Sequence, residues 1–207
     1  MFPRCSDREL YAALLRRDVA FARGIVEAIV AEAIAYGAGT IAGDALEGFN
    51  PAHDLCRYCI NLAVTLLRTR HGIRVDNLEF ALDGAPVTSG EGAARYYAVG
   101  GEALARKLDA VLAYEELKLD RELLLARYGP ALFEHEALFH ASPMQGVQAL
   151  DVEPPYYESA GAHRTAAGEY DEVIRYREHV RPLVHGLWKE YGLPLPAPAT
   201  PDVPAQA

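Results

Sequence analysis

The stretch NPAHDLCRYCINLAVTLLRTRHG, residues 50–72, carries the start, the faces and the stop of an amphipathic helix. Asn50 is a typical N-cap residue, and Pro51 suits the first helical position because no helical hydrogen bond needs its N–H there. Gly72 is typical of a helix end. At 100° per residue the apolar side chains form one arc, which we predict faces a helical core. The opposite, polar arc comprises Asp54, Arg57, Asn61, Thr65 and Arg68.

Cys56 and Cys59 lie within the apolar arc, and we interpret both as core residues, since free cysteine is among the most buried residue types. Together with His53 they fan around the helix, so the three side chains cannot converge on one zinc ion. The segment resembles the CxxC helix of the alkylhydroperoxidase and carboxymuconolactone-decarboxylase-like proteins. That resemblance implies a proton-relaying histidine four residues after the second cysteine, but Ala63 occupies the position.

Similar local signals predict most of the other elements. Ser6 and Glu9 form a capping-box pattern, and Asp18 can cap a helix over Val19–Tyr36 that Gly37 ends. Further helices are predicted at 91–99, 102–128, 131–140 and 168–191, with a loop at 43–49, an irregular segment at 141–167 and a kink at Pro182.

These elements predict an all-α fold, a multi-helix bundle of about six helices with one minor β-hairpin near residues 73–82. Residues 1–192 are expected to form a single helical domain. Residues 193–207 are rich in proline and alanine and are expected to form a mobile tail.

Charge and hydropathy exclude several classes of partner. With 29 acidic and 20 basic residues, the chain has a net charge of -9, which disfavours binding to nucleic acid. Glu27 and Glu32 interrupt the longest apolar run, so no membrane association is expected. The N-terminus shows no secretory signal, and three cysteines do not make a disulfide framework. We therefore predict a cytoplasmic protein.

Four residues are candidate metal ligands because they lie within the apolar stripes of predicted helices. They are Glu32, Glu115, Glu136 and His140. Buried carboxylates are costly unless they are paired or bind a metal, here iron or manganese. The pattern resembles the ferritin-like and haem-oxygenase-like di-iron oxidases, which implies oxidation of a small molecule. The spacing from Glu136 to His140 departs from the Glu-x-x-His of ferritin-like proteins.

A second group of candidate residues lies in EPPYYESAGAHR, residues 153–164, where aromatic and charged side chains follow a Pro-Pro pair. Such residues on an ordered loop favour recognition of a ligand or partner. The candidate binding residues are Tyr156, Tyr157, His163 and Arg164.

Two functions fit these patterns. The first is a non-catalytic helical binding or assembly protein, either a homo-oligomer or bound to a protein partner, because the second helix is apolar on most sides and no complete catalytic set is present. The alternative is a carboxylate-bridged metal oxidoreductase of the di-iron or di-manganese type. Whether the protein is an enzyme stays open at this point.

Overall fold

The structure, a computed structural model, describes residues 5–81, 89–115, 118–141 and 154–194, with the backbone alone for Leu119 and Asp120. These residues form seven α-helices and four β-strands. The helices are α1 (Asp7–Arg16), α2 (Val19–Tyr36), α3 (Pro51–His71), α4 (Gly101–Ala113), α5 (Lys118–Tyr128), α6 (Tyr156–Ala166) and α7 (Arg181–Glu190). The strands are β1 (Thr40–Asp44), β2 (Asp76–Phe80), β3 (Arg95–Ala98) and β4 (His135–His140). A 3-10 helix (Pro130–Phe133) precedes β4, and a π-helical turn (Tyr176–Val180) leads into α7.

The structure confirms the capping residues predicted for the first three helices. The Ser6 side chain accepts a hydrogen bond from the Glu9 N–H, and the Glu9 carboxylate accepts one from the Ser6 N–H at 2.7 Å. Asp18 Oδ1 accepts from the Phe21 N–H at 3.0 Å, at the start of α2. Asn50 caps α3, which ends at Gly72 with a left-handed φ of 68°. These bonds satisfy N–H groups that have no partner within the helix.

The four strands form one mixed sheet in the order β1-β2-β4-β3. The strands β1 and β2 are parallel, and β4 pairs antiparallel with both β2 and β3. A parallel pair of neighbouring strands needs a long connection, and α3 provides it as the crossover of a β-α-β unit.

This sheet shows that the predicted all-α bundle is wrong. The hairpin near residues 73–82 is wrong because β2 pairs with β1 and β4, which lie outside that range. Residues 95–98 and 135–140 form strands within ranges predicted as helices, and β1 takes up the start of the predicted loop at 43–49. Short apolar segments are ambiguous between helix and strand until a partner strand is present.

Three helix predictions also need correction. The predicted helix 102–128 is interrupted, because α4 ends at Ala113 and α5 begins at Lys118. The predicted irregular segment 141–167 contains α6. The last helical segment begins at Tyr176, eight residues after the predicted start, and Pro182 lies directly after the π-helical turn, in the first turn of α7. Residues 195–207 of the predicted tail lie outside the described residues.

The main apolar core lies between α3 and the helices α1, α2 and α7. The apolar arc of α3 faces it, and Leu55 and Leu62 have no exposed surface. Burying each such leucine stabilises the fold by about 2 kcal/mol. None of the described helices has the length and apolar character needed to cross a lipid bilayer.

Part of the polar arc of α3 is buried as well, since Asp54, Arg57 and Asn61 are each 2% exposed or less. Arg57 and Asn61 contact the sheet. The fully buried Arg57 side chain donates from Nε to Asp44 O at 2.6 Å, from Nη1 to Asn77 Oδ1 at 2.8 Å and from Nη2 to Leu78 O at 2.9 Å. Asn77 Nδ2 donates to Asn61 Oδ1 at 2.9 Å. Arg57 therefore joins the crossover helix to both parallel strands.

Gly43 on β1 permits this close approach of α3 to the sheet. A Cβ atom at this position would lie 2.7 Å from Ile60 Cδ1 and 3.1 Å from Arg57 Nη2. We expect Gly43→Ala to lower the free energy of unfolding by about 1–3 kcal/mol because of this overpacking, measured by urea denaturation. Gly39→Ala is the matched control, since a Cβ atom at Gly39 would meet no side chain or backbone atom of another segment within 4 Å.

The source of the Gly43→Ala effect can be checked with a second substitution. Ile60→Val removes the Cδ1 atom that the new methyl group would meet. In a double-mutant cycle, Ile60→Val should therefore recover part of the stability lost in Gly43→Ala. Simple additivity of the two substitutions would contradict this steric explanation.

Candidate functional site

The four predicted metal ligands do not form a site in this structure. Glu32 lies on α2, Glu115 is exposed after the end of α4, and Glu136 and His140 lie on β4. Residues four apart are about 6 Å apart on a helix but about 13 Å apart on an extended strand, so the strand separates Glu136 from His140. Glu136 instead forms an ion pair with Lys107. Among the described residues, no three His, Cys, Asp or Glu side chains are placed to hold a metal ion. The metal prediction gains no support from the geometry.

The predicted binding residues lie on α6 and separate into exposed and buried positions. Tyr156 is 59% exposed and stacks on Phe49, with ring centroids 5.2 Å apart. Arg164 is exposed and donates a 2.6 Å hydrogen bond to the Tyr170 hydroxyl, while His163 is exposed too. Of the four, Tyr157 is the buried residue, at 7% exposure.

Tyr157 belongs to a buried polar cluster that we call the Asp54–tyrosine cluster, composed of Asp54, Tyr58, Tyr157 and Tyr176. Asp54 and Tyr58 are one turn apart on α3, Tyr157 lies in the first turn of α6, and Tyr176 begins the π-helical turn. Each of the four residues is 7% exposed or less. The Tyr176 N–H donates to Glu158 Oε1 at 2.8 Å, which ties the π-helical turn to α6. Single π-helical turns are frequent at functional sites.

The Asp54 carboxylate is only half satisfied. Its Oδ1 atom accepts from the Glu47 and Gly48 N–H groups at 3.2 and 3.3 Å, which holds the loop between β1 and α3. Its Oδ2 atom is buried without a hydrogen-bond partner among the described residues. Burial raises the pKa of Asp54 to about 6, although the two backbone N–H groups act in the opposite direction.

The hydroxyl groups of Tyr58 and Tyr157 are likewise buried without a well-formed hydrogen bond in the part of the chain that the structure describes, although the Tyr176 side chain approaches that of Tyr58. Burial raises the pKa of both phenols, and the neighbouring Tyr176 and Asp54 raise it further. Both hydroxyls are therefore neutral at physiological pH and close enough to Asp54 to feel its charge. Buried polar groups nearly always have partners, so three unsatisfied oxygens in one cluster indicate a functional site.

A second polar group lies where β1 ends and α3 begins, the place where β-α-β units usually bind ligands. His53 Nδ1 donates to Asp44 Oδ2 at 2.7 Å, and the His53 side chain is 44% exposed. Cys56 follows one turn later, but burial raises the pKa of its thiol to about 11, with smaller contributions from Cys5 and Asp44. The thiol is protonated at neutral pH and is a poor nucleophile.

The structure confirms the core prediction for Cys59, which is fully buried and directs its thiol to the Ala22 carbonyl at 3.8 Å. Cys56 is only partly buried. Sequence patterns did not reveal the Asp54–tyrosine cluster, because the polar arc of a helix usually lies away from the core. A usable signal was present, since Asp54, Arg57 and Asn61 follow the i, i+3, i+7 spacing of a contact stripe.

Comparison of the chain with models of protein families, with curated proteins and with solved structures gave no match.

Proposed function

We propose that this protein is a non-catalytic assembly protein that associates with a second copy of itself through α4 and α5. The observation that carries the proposal is that neither helix has a fully buried side chain among the residues described. Helices of 13 and 11 residues are marginal in isolation and gain most of their stability from packing an apolar face. These two helices contact mainly the short 3-10 helix that follows them.

Apolar side chains on α4, on its C-cap residue Tyr114 and on α5 are available for such packing. Leu112, Tyr114 and Leu123 are 54%, 56% and 60% exposed. Arg121 Nη1 donates to the carbonyls of Val111 and Leu112, so the C-terminal end of α4 lies beside α5. Clustered exposed apolar residues are typical of protein interfaces.

Charge favours a second copy as the occupant of this surface. Residues 101–128 contain six acidic and five basic residues, whereas the whole chain has a net charge of -9. Two copies that meet at this nearly neutral segment avoid the repulsion that two acidic surfaces would produce. A strongly basic partner would find better complementarity elsewhere on the chain. The predicted cytoplasmic location is part of the same proposal.

The double variant Leu112→Glu/Leu123→Glu tests the interface. Because both copies carry the variant, four buried leucines are lost at about 2 kcal/mol each, which would weaken self-association roughly a millionfold. We expect analytical ultracentrifugation to show a concentration-dependent dimer for the unchanged protein and a monomer for the variant, with the same circular dichroism spectrum.

The matched control is Tyr36→Glu, which introduces one charge at an 81% exposed aromatic residue at the end of α2. This variant should stay dimeric. A monomeric unchanged protein at the highest soluble concentration would refute the proposal. Dimers that tolerate both leucine substitutions would place the interface elsewhere and refute it equally.

A further inference from the structure

The Asp54–tyrosine cluster contains a buried carboxylate that forms no ion pair with any of the described residues. Glu47 on the preceding loop raises the pKa of Asp54. The partly exposed His53 lowers this pKa, but its effect is the smallest. Arg57 lies one turn further along α3, but its guanidinium donates to the strands β1 and β2. Buried carboxylates are normally paired with a cation or bound to a metal, so Asp54 is an exception that requires a partner.

The chemistry of the three unsatisfied oxygens defines that partner. Asp54 Oδ2 is an acceptor with a negative charge, and the hydroxyls of Tyr58 and Tyr157 can also accept. A primary ammonium group has three N–H donors and one positive charge, so it matches three acceptors and one carboxylate. The faces of tyrosine rings attract cations as well. Divalent cations prefer several more oxygen ligands and a higher negative charge.

We propose that Asp54, Tyr58 and Tyr157 form a binding site for an ammonium group, supplied either by the ammonium ion or by a small primary amine. The Asp54 carboxylate neutralises the charge, and the two hydroxyls accept the remaining N–H groups. Tyr176 interacts with both tyrosines and joins the site to the π-helical turn that it begins. The site is independent of the surface on α4 and α5, so either proposal can fail without the other.

Thermal unfolding of the full chain tests the site at pH 8 in equal concentrations of three salts: ammonium chloride, methylammonium chloride and tetramethylammonium chloride. Tetramethylammonium has the same charge but no N–H donor. At about ten times the dissociation constant, a bound ammonium group should raise Tm by roughly 4 °C over the tetramethylammonium control. A rise with ammonium alone identifies the free ion, and a rise with methylammonium identifies an amine terminus.

Two variants connect the effect to the named residues. Asp54→Asn keeps an oxygen that accepts from the loop N–H groups but removes the charge, so the three salts should give the same Tm. Tyr157→Phe removes one acceptor and should reduce the difference between salts. In the unchanged protein, the difference in Tm between the salts should also shrink at pH 5, where most of the Asp54 carboxyl is protonated. Equal Tm values in all three salts for the unchanged protein, or a salt difference that survives in Asp54→Asn, would overturn the proposal.

Discussion

Replacing Arg57 with methionine is expected to lower the free energy of unfolding by about 4 kcal/mol. Methionine keeps much of the side-chain volume but removes all three hydrogen bonds. The Asp44 and Leu78 carbonyls and the Asn77 side chain would each lose a buried donor. Chemical denaturation at neutral pH measures the loss.

Two comparisons isolate the contribution of the guanidinium group. Arg68→Met changes an exposed arginine on the same helix and should alter stability by less than about 0.5 kcal/mol. Arg57→Lys keeps the charge but has no planar group that can reach both strands. Its free energy of unfolding should therefore lie between those of Arg57→Met and the unchanged protein. If Arg57→Met were as stable as Arg68→Met, the link between α3 and the sheet would contribute nothing to folding.

The second large effect is a pH-dependent stabilisation by Asp54→Asn. The pKa of Asp54 is about 6 in the folded protein against an ordinary value of 3.8, so the folded state binds this proton more tightly. The contribution of Asp54 to the free energy of unfolding therefore falls as pH rises from about 4 to about 6 and is constant above that range. The difference between these two pKa values corresponds to roughly 3 kcal/mol in the free energy of unfolding. Asparagine has no carboxyl group to ionise, so the variant should be more stable at pH 8 by up to that amount.

Urea denaturation from pH 4 to pH 8, in buffers free of ammonium and amines, measures this difference between the variant and the unchanged protein. The advantage of Asp54→Asn should appear between about pH 4 and pH 6 and then level off. Asp171→Asn, which changes an exposed carboxylate, controls for the loss of one negative charge. A variant that is less stable than the unchanged protein at pH 8 would show that the carboxylate is needed for the fold.

Helices with strong local signals were predicted well. The residues that cap α1, α2 and α3 act on N–H groups two or three positions away, and this short range makes them visible in the sequence. The apolar arc of α3 likewise predicted the face that meets the other helices. For the β4 segment, the residues 135–140 fit a helical stripe about as well as an alternating pattern. Its strand conformation depends on β2 and β3, which lie far away in the chain.

The candidate site depended even more on distant packing. Glu136 and His140 would be neighbours on a helix, but β4 separates these two of the four residues predicted to bind a metal. Asp54 belongs to the polar arc opposite the apolar face of α3, yet it is 1% exposed and interacts with the buried Tyr157 of α6. No pattern within a few residues of Asp54 indicates that these segments cover it.

The amino-acid sequence by itself determined where α1, α2 and α3 begin and where α2 and α3 end, because capping and apolar periodicity depend on neighbours within one or two turns. Only the tertiary structure decided that a sheet covers Arg57 and Asn61 of the polar arc of α3, and that a carboxylate and two phenols are buried together. Strand pairing and burial depend on which distant segments meet. The pKa of an ionisable side chain depends on the groups that those segments place around it, and not on its neighbours in the sequence.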